Sequence, residues 1–444
     1  MLLLVKNKED WSKVHSLSIG LLGLGTVGSG VVKVIENHQD KLIHQVGCPV
    51  KIKKVLVQDI EKEREVQVDS TMLTVDPAEV LLDPEIDIIV EVMGGVEETK
   101  KHLIQALQQK KHVVTANKDL MALYGPELLA AAANYQCDLF YEASVAGGIP
   151  ILRSLVEGLA SDRIAKMMGI VNGTTNFILT KMSKEGRSYD DVLTEAQRLG
   201  FAEANPAADV EGLDAARKMA ILSTLGFSME IKLDDVKVKG ITEITGEDIR
   251  YGKQFGYTMK LIGYAHRDQD AVEVSVLPTL ISNAHPLASV NDEYNAIYVY
   301  GEAVGETMFY GPGAGSLPTA TAVVSDLVGV MKNMRLGVNG KSSVNPQYQK
   351  HLKSDDEIYS KYFIRFCIHD GVGVMTKVTS IFATYDVSLE KVLQHPLAEE
   401  KAEIILVTHR ASRENFRTVM TELREVPAVV KIESVYRVEE GDTV

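Results

Sequence analysis

Cysteine is scarce in this chain. Cys48, Cys137 and Cys367 are the only three in 444 residues, and no two stand at a C-x-x-C or other metal-ligand spacing. That argues against a disulfide framework and against a thiolate metal site, and leaves reduced thiols in a cytoplasmic compartment as the simplest expectation. Net positive charge is lacking too. With 47 Lys and Arg against 61 Asp and Glu, the formal charge is −14, so neither a nucleic acid nor an anionic membrane surface is expected as the main partner. No apolar run approaches the length of a membrane span. The opening "MLLLV" is too short for a signal sequence and runs into the charged "KNKED".

What is present is ordinary in amount and informative in pattern. Hydrophobic residues make up 45% and charged residues 24%, as in a soluble globular protein, and the length calls for two or three domains. After an extension of fifteen residues, "LSIGLLGLGTVGSGVVKVIENH" passes from an apolar strand through a glycine turn into an apolar-periodic helix. Gly23, Gly25 and Gly28 fit G-x-G-x-x-G. The first permits a tight turn, the second lets a pyrophosphate approach the backbone, and the third allows close helix–strand packing. The following helix offers free N–H groups and a positive dipole end to the phosphates.

Strands and helices then alternate through "KIKKVLVQD", "EIDIIVEVMGG", "EETKKHLIQALQQKK" and "HVVTANK". This predicts a Rossmann-type doubly wound parallel sheet, with ligands outside the carboxyl ends of its strands, where Met93-Gly94-Gly95, Asn117 and Lys118 fall. The end of the second strand carries Gln58 and Asp59, followed by Lys62 and Arg64. This mixed set does not choose between a ribose 2′-hydroxyl and a 2′-phosphate.

Strict alternation ends near Glu142. The later strand-like runs "VKVKGIT", "MKLIGYAHR", "AVEVSVLPTL" and "NAIYVYGEAV" predict an α+β domain with a mixed or antiparallel sheet covered on one face by helices. "NGTT" after the strand "MMGIV" reads as the cap of the next helix. Within "FAEANPAADVEGLDAARKMAIL" a helix is expected from about Asp209, which places Asp214 and Lys218 one turn apart on a face shared with Val210, Ile221 and Leu225. An ion pair among apolar side chains is either a structural salt bridge or an acid–base site. Spacing leaves both open.

The order of "GLLGLGTVGSGV", "HVVTANK", "YEASVAGGIPI", "GIVNGTTNFI", "LGFAEANPAADVEGLDAARK" and "GPGAGSLPTATAVVSDL" resembles homoserine dehydrogenases of the bacterial type that carry a C-terminal regulatory domain. The resemblance implies NAD(P)-dependent interconversion of L-aspartate 4-semialdehyde and L-homoserine. It implies Lys218 as proton donor to the carbonyl oxygen, Asp214 as a substrate contact, and Glu203 as the partner of the substrate α-ammonium group. Asp209 would belong to the same polar network, and Lys118 would be a second lysine beside cofactor and substrate. For NADP(H) or NAD(H) it points to Gly23, Gly25, Thr26, Val27, Gly28, Lys118, Gly200 and Gly315. For a monovalent cation (Na+ or K+) it points to the Glu142 carboxylate and the carbonyls of Val145, Gly147 and Ile149. Members that favour NADP often carry a basic residue where Gln58 stands.

The charge-rich "GVNGKSSVNPQYQKHLKSDDE" reads as a connector. Beyond it a strand–helix–strand–strand–helix–strand order predicts a ferredoxin-like module that resembles an ACT domain, with "HDGVGVMTKV" at the turn where such modules bind an amino acid. The expected organisation is a nucleotide-binding domain over 1–141 and a catalytic and dimerisation domain over 142–336, of which 311–336 returns to the first. A linker over 337–357 and a regulatory domain over 358–444 follow. The resemblance suggests threonine as effector and a homodimer, which the ACT module could extend to a homotetramer. Two rivals stand beside this reading: a catalytically silent amino-acid sensor, and another small-aldehyde dehydrogenase. An aspartate-semialdehyde dehydrogenase would need a nucleophilic cysteine, and Cys137 in "NYQCDLFY" does not fit.

Overall fold

Six short strands that begin with the apolar run at Leu17 build the first sheet of the computed structural model, which describes residues 16–341 and 346–441. They are β1 (Leu17–Leu22), β2 (Val50–Leu56), β3 (Leu73–Thr74), β4 (Ile88–Glu91), β5 (His112–Thr115) and β6 (Leu139–Phe140). All pair in parallel, in the order β3-β2-β1-β4-β5-β6. Full burial of β4 and β5 is what a central parallel strand covered on both faces requires. The strand order reverses between β1 and β4, the crevice where doubly wound sheets bind ligands. The expected N-terminal extension, 1–15, and residues 342–345 of the expected connector lie outside the described residues.

The chain divides into two units: 1–161 with 220–233 and 309–348, and 162–219 with 234–308 and 349–444. In the first unit the helix Ser316–Leu336 packs on the helix Thr26–Asn37. A Cβ at Gly30 would stand 2.4 Å from the Ser316 carbonyl oxygen, so glycine sets how closely these helices approach.

A larger sheet, most of it in the second unit, follows. Its strands are β7 (Ile164–Ile170), β8 (Lys237–Val238), β9 (Tyr257–Asp268), β10 (Ala271–Ser282), β11 (Tyr294–Gly301), β12 (Gly305–Pro312), β13 (Tyr359–His369), β14 (Leu389–Pro396), β15 (Lys401–Thr408), β16 (Ala411–Ser412) and β17 (Val429–Glu439). The main order is β12-β11-β7-β9-β10-β17-β13-β15-β14. Pairing is antiparallel throughout β11-β7-β9-β10 and again through β17-β13-β15-β14. The C-terminal residues give the ferredoxin-like order, with helices Val374–Thr384 and Arg413–Glu425 over a core where the Tyr362 and Phe416 rings stack at 3.7 Å.

The C-terminal strands are not a separate sheet. β17 pairs in parallel with β10 through Thr279–Arg437, Leu280–Val438 and Ile281–Glu439. Buried charges accompany that join. Arg365 donates to Asp248 at 2.8 Å and to Glu403 at 2.7 Å, and Arg437 donates to Glu273 at 2.9 Å while lying over the Tyr264 ring. No helix among the described residues is long and apolar enough to cross a membrane.

Candidate active site

The pair singled out by spacing is formed. Lys218 Nζ donates to Asp214 Oδ2 at 2.7 Å and to the Val171 carbonyl at 2.7 Å, and the two residues are 8% and 2% exposed. Their helix begins later than expected. It runs Leu213–Phe227 and is preceded by a separate turn, Ala207–Val210. Gly212, at φ 86°, breaks the two apart, because a left-handed residue cannot continue a right-handed helix. Asp209 therefore sits on the earlier turn.

Asn172 joins the two acids, and sequence reasoning saw it only as a cap. Its Oδ1 does cap the helix Gly173–Glu185, accepting from Thr175 N at 2.9 Å. That fixes the amide so that Nδ2 donates to Asp209 Oδ1 at 2.7 Å and to Asp214 Oδ2 at 2.8 Å. Thr174 Oγ1 adds a 3.3 Å contact to Asp209 Oδ2. The "NGTT" signal was thus visible, but partners 37 and 42 residues away were not. Glu203 lies exposed on the following loop, where Gln197 holds its main-chain carbonyl at 3.1 Å. Gly200 caps the helix Tyr189–Leu199 at φ 80°, a local conformational duty that glycine performs at least cost.

In the first unit, the glycine turn has the shape of a phosphate cradle. A Cβ on Gly28 would meet the Gly23 carbonyl oxygen at 2.2 Å, whereas nothing lies within 4 Å of one on Gly25. Gly25 opens the helix of Thr26 and Val27 with no side-chain cap and no acid in the first turn, leaving its N-terminal amides to an anion. Ser316, next to Gly315, donates to the Thr26 carbonyl at 2.7 Å, so the returning segment reaches this turn. Lys118 opens the helix Lys118–Asn134, capped by Asn117. The residues present fit a dinucleotide phosphate. At the end of β2, Asp59 accepts from Glu61 N at 2.9 Å, and Arg64 donates to the carbonyls of Asp59, Ile60 and Lys62. Both ends of that loop are occupied in holding its own turn.

The Glu142 carboxylate is buried and accepts from the amides of Leu152 (2.8 Å) and Arg153 (2.7 Å). Ala146 and Gly147 are consecutive left-handed residues at φ 55° and 51°, and the Ile149 carbonyl accepts from Ile151 N at 2.8 Å. Burial pushes the Glu142 carboxyl upward against the pull of those two amides. Carboxylate and peptide carbonyls are the oxygen donors a hard cation takes. Cys137 is buried beneath this region and its thiol is pushed up to about 11 by burial. A buried thiol of raised pKa is the mark of a structural cysteine rather than a nucleophile.

The family comparisons agree with this geometry. Residues 150–328 match the family described as homoserine dehydrogenase, 23–142 its NAD-binding domain, and 362–428 the ACT domain. The homoserine dehydrogenase of Bacillus subtilis is 63% identical over 96% of this chain and 99% of its own. The solved homoserine dehydrogenase of Thiobacillus denitrificans matches at a TM-score of 0.90 and 38% identity, covering 96% of this chain and 98% of that one. The S. aureus structure at pH 6.5 matches at 0.77 and 42%, covering 96% and 99%. Glycine cradle, paired acid and lysine, and near-complete coverage converge: the chain belongs to the homoserine dehydrogenases, NAD(P)-dependent oxidoreductases, and carries an ACT domain.

Proposed function

We propose that the chain interconverts L-aspartate 4-semialdehyde and L-homoserine, with Lys218 as the proton donor in the reducing direction, on the route to threonine, methionine and isoleucine. The observation that carries this reading is the buried contact of Lys218 with Asp214 and the Val171 carbonyl. Two acceptors at 2.7 Å aim the ammonium, and orientation plus a proton is what carbonyl reduction requires of a protein. Bound NAD(P)H supplies the hydride.

The remaining roles follow from charge. Asp209 and Asp214 place two carboxylates at Lys218 and Asn172, an acidic setting suited to a substrate ammonium group, and exposed Glu203 is the acid assigned to meet it. The phosphates would rest on Gly23, Gly25, Thr26, Val27 and Gly28, and Lys118, Gly200 and Gly315 would complete the cofactor set. Glu142, Val145, Gly147 and Ile149 would hold a monovalent cation, whose charge would offset the buried carboxylate and fix the loop. The ACT domain serves as an effector site for threonine, in a homodimer or homotetramer.

The test is oxidation of NADPH and of NADH by the purified chain with L-aspartate 4-semialdehyde, with and without threonine. Turnover is expected, and the ratio of the two cofactors reads out what Gln58 contributes. Folded protein that binds cofactor without turnover would sink the reading in favour of a silent sensor.

A further inference from the structure

Glu91 is an acid where the sheet needs none. It ends β4, between β1 and β5, behind three fully buried apolar residues, and is itself 0% exposed. A buried carboxylate is destabilising unless it is well satisfied. Burial pushes this one upward against the hydrogen bonds of Thr115, Gly94 and Met93.

Its bonds run in two directions. Oε1 accepts from Met93 N at 2.9 Å and Gly94 N at 3.0 Å, closing a turn whose next residues, Gly94 and Gly95, are left-handed at φ 74° and 75°. That turn abuts the glycine loop so tightly that a Cβ on Gly23 would lie 2.8 Å from Met93 Cα. Oε2 accepts from Thr115 Oγ1 at 2.5 Å, and Thr115 Oγ1 accepts from Asn117 N at 3.0 Å. Asn117 caps the helix that starts at Lys118 and reaches back to the Gly95 carbonyl at 2.7 Å.

We propose that Glu91 is a positioning residue for the nucleotide: its single carboxylate ties the Met93–Gly95 turn, against which the glycine loop is packed, to the start of the Lys118 helix. The inference rests on the reading that NAD(P) binds at this edge. An apolar residue would leave two turn amides and the Thr115 hydroxyl without their acceptor. A small polar one could not serve all three.

Three full-length variants test it, with cofactor affinity read by nucleotide fluorescence and turnover normalised to folded protein. Glu91→Ala should weaken cofactor binding and lower kcat, each by ~10- to 100-fold, the scale of a misplaced reacting group. Glu91→Gln, which keeps an oxygen for the two amides and an NH2 group toward Thr115, should restore most of both. Thr115→Val cuts the branch to Asn117 and the Lys118 helix and should lower both cofactor affinity and kcat, each by less than Glu91→Ala does. Folded Glu91→Ala with wild-type affinity and kcat would overturn the proposal. If that variant does not fold, Thr115→Val decides, and unchanged cofactor affinity and kcat overturn it. Wild-type protein that binds neither nucleotide would instead remove the cofactor reading on which this one stands.

Discussion

Two of the buried clusters of opposite charges in the second unit are finished differently. Around Asp248 every carboxylate oxygen accepts at least one hydrogen bond. Oδ1 takes Arg365 Nε and Ser434 Oγ, Oδ2 takes Tyr436 and Thr245, and Glu403 takes the other arm of Arg365 together with Tyr251. Burial works against the Asp248 anion, but the bonds from Ser434 and Arg365 prevail and hold its pKa below the usual carboxylate range. The Lys218 cluster runs instead from a buried ion pair to half-buried Asp209 and a loop bearing exposed Glu203. One cluster is closed on itself and ties the helix Gly246–Gln254 to β13, β15 and β17. The other grades outward, as a site that must admit a ligand does.

That contrast predicts which property each substitution damages. Asp214→Asn should lower kcat/KM by roughly 10²- to 10⁴-fold, the range of a lost acid–base contribution, with the thermal midpoint little changed. A midpoint that fell in step with activity would make the pair structural. Arg365→Ala should do the reverse, costing about 3–5 kcal/mol by stranding two buried carboxylates. Denaturant unfolding measures that loss, and turnover per folded molecule should persist.

A pH series sharpens the point with a third acid, in the first unit. Burial and the neighbouring Glu142 push Asp326 up to about 7 although it accepts from Arg153 at 2.9 Å. Between about pH 4 and 7 the folded chain keeps a proton that the unfolded chain has lost, so this group's contribution to stability falls as pH rises through that window. Asp326→Asn should flatten the decline, as followed by melting temperature; an unchanged slope would refute the assignment. Asp248, being depressed, contributes stability above its unfolded value that is lost as pH falls. The smallest effect expected is Tyr436→Phe, about 1 kcal/mol for one donor among several on Asp248, seen as a lower denaturant midpoint.

Legibility in the sequence followed distance along the chain. Asp214 and Lys218 are one helical turn apart, so periodicity alone put them together. Arg365 and Asp248 are 117 residues apart, and Ser434 and Asp248 are 186; no local pattern encodes either. The parallel sheet was readable from apolar runs between glycine turns, whereas the join of β10 to β17 depends on a register between segments that carry no mutual signal. Gly212 was passed over because an isolated glycine inside a helical pattern is often tolerated. Here it is left-handed and resets the helix start. Glu91 was hidden because "IIVEV" reads as one buried strand, and only the turn beyond it shows why the acid is there.

The measurement that bears most directly on the account is turnover of L-aspartate 4-semialdehyde by Lys218→Ala, with cofactor binding and melting temperature taken on the same sample. The expected result is a loss of kcat of at least ~100-fold with cofactor affinity and fold retained. Wild-type kcat in that variant would contradict the assignment of Lys218 as proton donor.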